Sequence, residues 1–281
     1  MGLKPLAAMK VNDASPYERF RALHEGTKPF IMPNAWDAAS AVLLKREGFL
    51  ALGTTSYAIA LSLGVHDGRH AVSRDTAVAN GTLLARASGL PINGDLEDGF
   101  GPAPEDCALT VSAAIAAGLA GLGIEDTTAD PARPIHAYDD AIARIRTAAT
   151  AARGRIVLTG RTDNFINDRP DLDDTIRRLS AFAEAGADVL YAPGLPDLKA
   201  VAAVVRAVAP KPVNVLWVGG LANASLAEFA EIGVRRISLG SALYIRTLGS
   251  LVDAARALRG GDARHIGGSI TGSEIADLFS A

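Results

Sequence analysis

The feature that most limits the fold of this chain is a repeating alternation. Eight short apolar runs recur along it, each followed by a longer, Ala-rich stretch with helical periodicity. The runs are PFIMPN (29–34), FLALGTTS (49–56), LPINGD (90–95), AGLGIED (120–126), RIVLTGRTD (155–163), ADVLYAPG (187–194), PVNVLWVG (212–219) and RRISLGSA (235–242). Short apolar runs bounded by turn residues read as buried strands, and strands alternating with helices build parallel sheets. Eight such units are the number that closes a (β/α)8 barrel. The stretches between them support helices. In DDTIRRLSAFAEAGAD, Ile176, Leu179, Phe182 and Ala183 fall on one stripe. DAASAVLLKREGF and SLAEFAEIGVRR reach Gly48 and Gly233, the residue type that stops a helix.

A length of 281 residues suits one large barrel or two medium domains. The even spacing and the lack of a low-complexity linker favour a single α/β domain. Its barrel core is expected at about 29–258, with a Gly-rich tail (259–281) packed on the barrel or on a neighbour. The first twenty residues are expected to form a helix closing the barrel bottom. Hydrophobic residues make up 49% and aromatics 5%, so the core must come from Ala, Val, Ile and Leu. The net charge of −3, with both signs interspersed, lacks the basic stripe of a nucleic-acid binder. The one cysteine, Cys107, excludes an intrachain disulfide framework and a cysteine-rich zinc site. The N-terminus lacks the apolar stretch of a signal peptide, and no run reaches membrane-span length. A cytoplasmic protein without membrane partners is expected.

Polar residues collect where the strands end. Thr54, Thr55 and Ser56 follow the second run, Asp95 and Glu97 the third, and Glu125 and Asp126 the fourth. Arg161, Thr162 and Asp163 follow the fifth, Asn214 lies within the seventh, and Ser241 follows the eighth. Active sites of such barrels lie at this rim. The segment NGDLEDGFG sets three carboxylates, Asp95, Glu97 and Asp98, within four residues. Together with Glu125 they would repel one another unless a cation is present, and hard oxygen ligands suit Mg²⁺ or Mn²⁺. Arg161 could orient a substrate carboxylate through a bidentate pair. A metal beside an arginine suits a 2-oxo acid or its enolate.

Plainer roles stand beside these. Asp98 could cap the next helix or face solvent, and Asp126 could do the same for the loop after the fourth run. Arg161 could pair with Glu125 or Asp163. His66 and His136 are candidates for general acid–base work or are simply exposed loop residues. Tyr57, Tyr191, Asn214 and Trp217 could line a pocket, and Cys107 reads as a small buried hydrophobe.

Four segments in order, GTTSYAIALSLGVHDG, NGDLEDGFG, GLGIEDT and GRTDNF, make the chain resemble the isocitrate lyase / phosphoenolpyruvate mutase superfamily. The resemblance runs from about residue 30 to 243. It implies a Mg²⁺-dependent barrel acting on small 2-oxo or 2-hydroxy carboxylates through an enolate. It also implies a homo-oligomer, commonly a tetramer with the last barrel helix exchanged between neighbours. Residue by residue, it makes Asp95 the direct metal ligand. Glu97 and Glu125 would hold the ion mostly through water, and Asp67 would stand in the shell behind them. Thr55, Ser56 and Tyr57 would bind substrate oxygens with Arg161 and Asn214, and Arg161, Tyr57 and Glu125 would take part in the chemistry.

Two departures shape the expected reaction. Isocitrate and methylisocitrate lyases carry a KKCGH-type loop with a catalytic cysteine after strand four, where this chain reads TTADPARPIHAYDD. After strand six, APGLPD replaces a histidine-bearing segment. The expected activity is therefore carbon–carbon cleavage of the oxaloacetate decarboxylase kind, with phosphonopyruvate hydrolase or mutase chemistry at a P–C bond as the alternative. RRISLGSA with VGGLANAS keeps open a phosphate-ester barrel, and the departures keep open a non-catalytic one.

Overall fold

The computed structural model describes residues 14–279 apart from Arg69, His265 and Ser269. Of the N-terminal helix expected within the first twenty residues, positions 1–13 lie outside the described residues. The strands are β1 (Phe30–Met32), β2 (Leu52–Gly53), β3 (Ile92–Asp95), β4 (Gly121–Glu125), β5 (Val157–Arg161), β6 (Val189–Tyr191), β7 (Val213–Leu216) and β8 (Arg236–Ser238). They form one parallel sheet in the order β1-β8-β7-β6-β5-β4-β3-β2. A parallel bridge between Asn34 and Gly53 links its two edges, so the eight units make a (β/α)8 barrel. Asn34 reinforces this seam. Its side chain donates to the Thr54 carbonyl at 2.7 Å and accepts from the Leu239 N–H at 3.1 Å, tying the ends of β1, β2 and β8.

The helices are α1 (Pro16–Glu25), α2 (Ala38–Arg46), α3 (Ser56–Ser62), α4 (Arg74–Ser88), α5 (Glu105–Ala116), α6 (Tyr138–Ala152), α7 (Leu172–Ala185), α8 (Leu198–Val208), α9 (Leu226–Glu231), α10 (Ala242–Arg259) and α11 (Gly272–Asp277). The strands are shorter than the apolar runs. FLALGTTS keeps two paired residues, because Thr54 and Thr55 leave the ladder and Thr55 becomes the residue that opens α3. Where the runs outlast the ladder, their polar ends form the rim.

Strand alternation sorts the interior. Leu122, Ile124, Leu158, Leu190, Val213, Val215 and Ile237 point outward and pack under the helices, where α7 contributes Leu179 and Phe182. Ile176 and Ala183, expected on the same stripe, are only partly buried. Met32, Val157 and Val189 point inward and meet Phe20 of α1, which plugs the bottom of the barrel. That plug needs Gly121, because a Cβ there would lie 2.5 Å from the Phe20 ring. A Ser15–Glu18 capping box and Pro16 start α1 at the required place.

The C-terminal part differs from the rest. No residue of α10 or α11 is buried, although Ile245, Leu251, Val252 and Leu258 of α10 are each at least 44% exposed. Among the described residues no helix is long and apolar enough to cross a membrane.

Candidate active site at the barrel mouth

The rim of the barrel surrounds a cavity of about 340 Å³ lined by Thr55, Ser56, Tyr57, Asp67, Asp95, Arg161 and Tyr191. Ile166, Leu216, Val218, Leu239 and Ile245 supply its apolar side. The size is at the low end for small-molecule pockets and suits a ligand of a few carbons.

Inward residues of neighbouring strands build the charged wall. Arg161 ends β5, and its Nη1 lies 2.8 Å from Glu125 Oε2 and 3.5 Å from Asp95 Oδ1. Its Nε donates to Asp163 Oδ1 at 2.6 Å. The guanidinium is thus built into the wall by three carboxylates, and its Cζ lies 5.4 Å from the centre of the Tyr191 ring. Burial works against the charge on Arg161, but Asp163, Glu125 and Asp95 outweigh it and hold the group cationic. Both sequence readings of Arg161 therefore meet in one residue: it is ion-paired, and it faces the cavity. Nη2 has no hydrogen-bond partner among the described residues.

The carboxylates outnumber this one cation. Burial raises the Glu97 carboxyl to about 7, and Asp95 adds to the rise. Burial and then Asp95 also raise Asp67, whose carboxyl accepts from the Ser56 hydroxyl. Burial pushes Glu125 well above its ordinary value against the pull of Arg161. Glu97 is 7% exposed and sits at φ 48°, and its carboxyl has no direct hydrogen-bond or ion-pair partner among the described residues, with His70 acting on it only from a distance. A non-glycine residue in the left-handed region is uncommon and is concentrated at functional sites. Gly99 allows the same turn to fold back, since a Cβ there would lie 2.6 Å from Cys107 Sγ.

These residues fit a hard divalent cation held largely through water. Among the described residues no three His, Cys, Asp or Glu side chains already form a metal cage. Mg²⁺ needs only one or two direct carboxylates and keeps several waters, so a loose carboxylate ring with an unpartnered Glu97 matches it.

The remaining expectations divide. Asp95 lies at the mouth, but Oδ2 already accepts the Ser56 N–H at 3.0 Å, so that donor serves the carboxylate. Thr55, Ser56 and Tyr57 do line the cavity. Asn214 does not. It is buried in the barrel interior, where its amide donates to Ser238 Oγ at 2.9 Å and accepts from Arg236 Nε at 2.9 Å. Trp217 lies edge-on against Phe229 with Nε1 bonded to the Ala224 carbonyl, away from the cavity. His66 is exposed. Asp126 caps no helix. It accepts from Thr162 Oγ1 and the Asp163 N–H and pairs with Arg178 at 3.2 Å, so it braces the wall from behind.

Asp98 also departs from the capping role. It points away from the mouth into a second cavity of about 830 Å³, where Oδ1 lies 2.6 Å from His70 Nε2 and Oδ2 lies 3.2 Å from His136 Nε2. His136 Nδ1 in turn lies 2.7 Å from Asp140, and Arg144 approaches Asp98 at 3.8 Å. Burial would raise Asp98, but His136, His70 and Arg144 drive it well below the usual carboxylate range. The segment after β4 is pinned as well. Thr127 and Ile135 form an antiparallel bridge, and the His136 N–H donates to the Asp126 carbonyl at 2.7 Å. Tyr191 lines the cavity beside Arg161, as expected of a pocket residue, whereas sequence reasoning missed His70, Arg144 and Arg236. Only the inward register of Arg236 on β8 could have pointed to any of them.

The family model described as phosphoenolpyruvate phosphomutase matches residues 20–259. An uncharacterised Mycobacterium tuberculosis (strain ATCC 25618 / H37Rv) protein is 34% identical over 86% of this chain and 90% of its own length. The 2-methylisocitrate lyase of Escherichia coli (strain K12) is 30% identical over 66% of this chain and 64% of its own. A solved Burkholderia cenocepacia J2315 protein with a provisional lyase/mutase assignment superposes with a TM-score of 0.89 at 45% identity, covering 94% of this chain and 95% of that one. Oxaloacetate acetylhydrolase, solved with its product oxalate, superposes with a TM-score of 0.84 at 25% identity over 94% and 93%. The chain belongs to the phosphoenolpyruvate phosphomutase family, within the isocitrate lyase / phosphoenolpyruvate mutase superfamily of lyases and mutases.

Proposed function

We propose that the chain is a Mg²⁺- or Mn²⁺-dependent lyase that cleaves a carbon–carbon bond of a small 2-oxo or 2-hydroxy carboxylate, as an oxaloacetate decarboxylase does. The observation that carries this reading is the cation deficit of the mouth: Asp67 and Asp95 line a cavity sized for a small acid, Glu97 and Glu125 stand behind Asp95 without lining it, and the four carboxylates have one arginine among them. Asp95 would hold the ion directly, with Glu97 and Glu125 acting mostly through water and Asp67 behind them. When bound, the ion supplies Lewis-acid stabilisation of the negative charge that develops on the enolate oxygen.

The chain's own residues do the rest. Arg161, fixed by Asp163 and Glu125, turns Nη2 toward the substrate carboxylate. The Thr55–Tyr57 turn holds the opposite end of the ligand. Ile166, Leu216 and Leu239 exclude water from the carbanionic face. Named relatives with matching chemistry support the choice: the oxaloacetate decarboxylase of Pseudomonas paraeruginosa (strain DSM 24068 / PA7) is 26% identical over 93% of this chain and 90% of its own. A second reading, cleavage or rearrangement at a P–C bond, is favoured by the family description. It is also favoured by 33% identity to the Arabidopsis thaliana carboxyvinyl-carboxyphosphonate phosphorylmutase, over 66% of this chain and 58% of that protein.

The deciding experiment is a turnover screen over oxaloacetate, 2-methylisocitrate, dimethylmalate and phosphonopyruvate, with Mg²⁺ and with EDTA. Pyruvate or oxalate formed from oxaloacetate only with metal supports carbon–carbon cleavage. Phosphate from phosphonopyruvate supports the second reading. Metal-independent turnover would sink both.

The apolar stripe of α10 is assigned in the same reading to a homo-oligomer. Its exposed Ile245, Leu251 and Val252 are to be covered by another copy of the chain. A monomer by light scattering at micromolar concentration would refute that assignment.

A further inference from the structure

Below the mouth the barrel encloses a second cation with no counter-ion. Arg236 opens β8, faces inward and is 2% exposed. Its Nε donates to Asn214 Oδ1 at 2.9 Å and its Nη2 to Thr159 Oγ1 at 3.0 Å, while Nη1 lies 3.4 Å from His24 Nε2. The Phe20 ring centre is 6.0 Å from Cζ. These partners are neutral, and no carboxylate pairs with Arg236 among the described residues. Burial lowers Arg236 to about 9, and burial followed by Arg236 itself lowers His24 to about 3, so the pair carries its one charge on the arginine. A buried ion without a partner is a standing cost to the fold.

The polar chain from this cation leads upward. Asn214 donates to Ser238 Oγ at 2.9 Å, and Ser238 lies close enough to the hydroxyl of Tyr191, which lines the mouth, to favour its ionised form. Two-residue alternation puts Arg236 and Ser238 on the same inward face, one layer apart, just as Thr159 lies one layer below Arg161. The cation without a carboxylate therefore sits under the carboxylates without enough cations.

We propose that Arg236 is a charge-balancing residue for the mouth: it strengthens the hold on a dianionic ligand and weakens the hold on the divalent cation. This rests on the mouth being a metal-and-dicarboxylate site. At an effective dielectric of about 20, a unit charge roughly 10 Å away changes the affinity of a monovalent ion on the order of ten-fold, and of a divalent ion by the square of that. An arginine that only fills and ties the barrel interior would not change the two affinities in opposite directions. That opposition is the signature to look for, and it needs no turnover.

The test uses the full chain and two neutral variants, Arg236→Met and Arg236→Gln, with Arg236→Lys as the charge-preserving control. Mn²⁺ is titrated by calorimetry into each protein, then oxalate at saturating Mn²⁺, and each variant's melting temperature is recorded. The neutral variants are expected to bind oxalate more weakly by roughly ten-fold or more and Mn²⁺ more tightly by roughly ten-fold or more, with Arg236→Lys close to wild type. Arg236→Met is further expected to melt no lower than wild type, since an apolar replacement removes an unpaired buried charge. Unchanged affinities, or parallel weakening of both, in a folded neutral variant would overturn the proposal while leaving the functional reading intact. Failure of both neutral variants to fold would mark the arginine as structural and overturn it too. Wild-type protein that binds neither Mn²⁺ nor oxalate would overturn the functional reading itself, and this inference with it.

Discussion

Glu97 and Asp98 are neighbours in one motif, yet their carboxyls live in opposite surroundings. Glu97 turns toward the mouth, where burial and Asp95 raise it to about 7 and no residue pairs with it. Asp98 turns outward, where His136, His70 and Arg144 hold it well below the usual range. One side of the β3 turn is left short of positive charge, and the other side is internally neutralised. The lesson is that like charges crowded in sequence do not share a fate. The mouth side is built to be completed by something from outside the chain, and the outer side is complete already.

Replacing one member on each side separates these roles. Asp95→Ala should lower metal-dependent turnover roughly a thousand-fold or more while circular dichroism stays native. Retained metal-dependent activity would remove Asp95 from the site. Asp98→Ala should do the reverse. It leaves His70, His136 and Arg144 facing each other without their shared anion, at a cost of about 3 kcal/mol or more, read as a melting temperature lower by on the order of 10 °C. Mn²⁺ affinity should stay within a few-fold of wild type in Asp98→Asn. A large loss there would mean that the outer side also serves the ion.

The two carboxyls should also respond to pH with opposite sign and in different windows. A carboxyl raised in the folded state binds more protons folded than unfolded, so Glu97 costs the metal-free fold stability as pH rises from its unfolded value through about 7. Mn²⁺ affinity should climb over the same window, and Glu97→Gln should flatten both trends. Asp98 is lowered, so its contribution is present above the ordinary aspartate range and is lost as pH falls below it. His70 is raised, chiefly by Asp98, so its contribution is present below about 6.5 and is lost as pH rises through its higher folded value. Melting temperatures of Glu97→Gln and Asp98→Asn across about pH 2–9 would show whether the trends divide this way. The smallest effect is expected at Cys107, which is buried behind the turn with its thiol pushed up to about 11 by burial. Cys107→Ala should cost about 1 kcal/mol and leave turnover unchanged, and the wild-type thiol should resist alkylation in the native state. Rapid alkylation with loss of activity would contradict its inert role.

Much of the scaffold was readable from residue order. Eight apolar runs with helices between them leave few ways to bury both faces of each strand, and β1 to β8 fall within those runs. Asp95, Arg161 and Tyr191 could be set on one rim because every strand of a barrel ends there. What alternation gives is the face on which a side chain lies. It does not give the neighbour that side chain finds across the barrel, which depends on stagger and on where loops return. Asn214 reads from sequence as a pocket residue that binds substrate, but the layer it occupies delivers it to Arg236 and Ser238 rather than to the cavity. Asp98 was read as a cap because its partners come from the loop before α4, the segment after β4 and α6, none of which is near it in sequence.

The sequence by itself determined the barrel, the family and the gathering of Asp95, Glu97, Glu125 and Arg161 at one end, because strand count, strand direction and local periodicity are properties of consecutive residues. Only the tertiary structure decided which carboxylates are left short of a cation, that Arg161 is fixed before any ligand arrives, and that an unpaired arginine lies beneath the mouth. Burial and through-space charge set those outcomes, and both depend on packing between segments far apart in the chain.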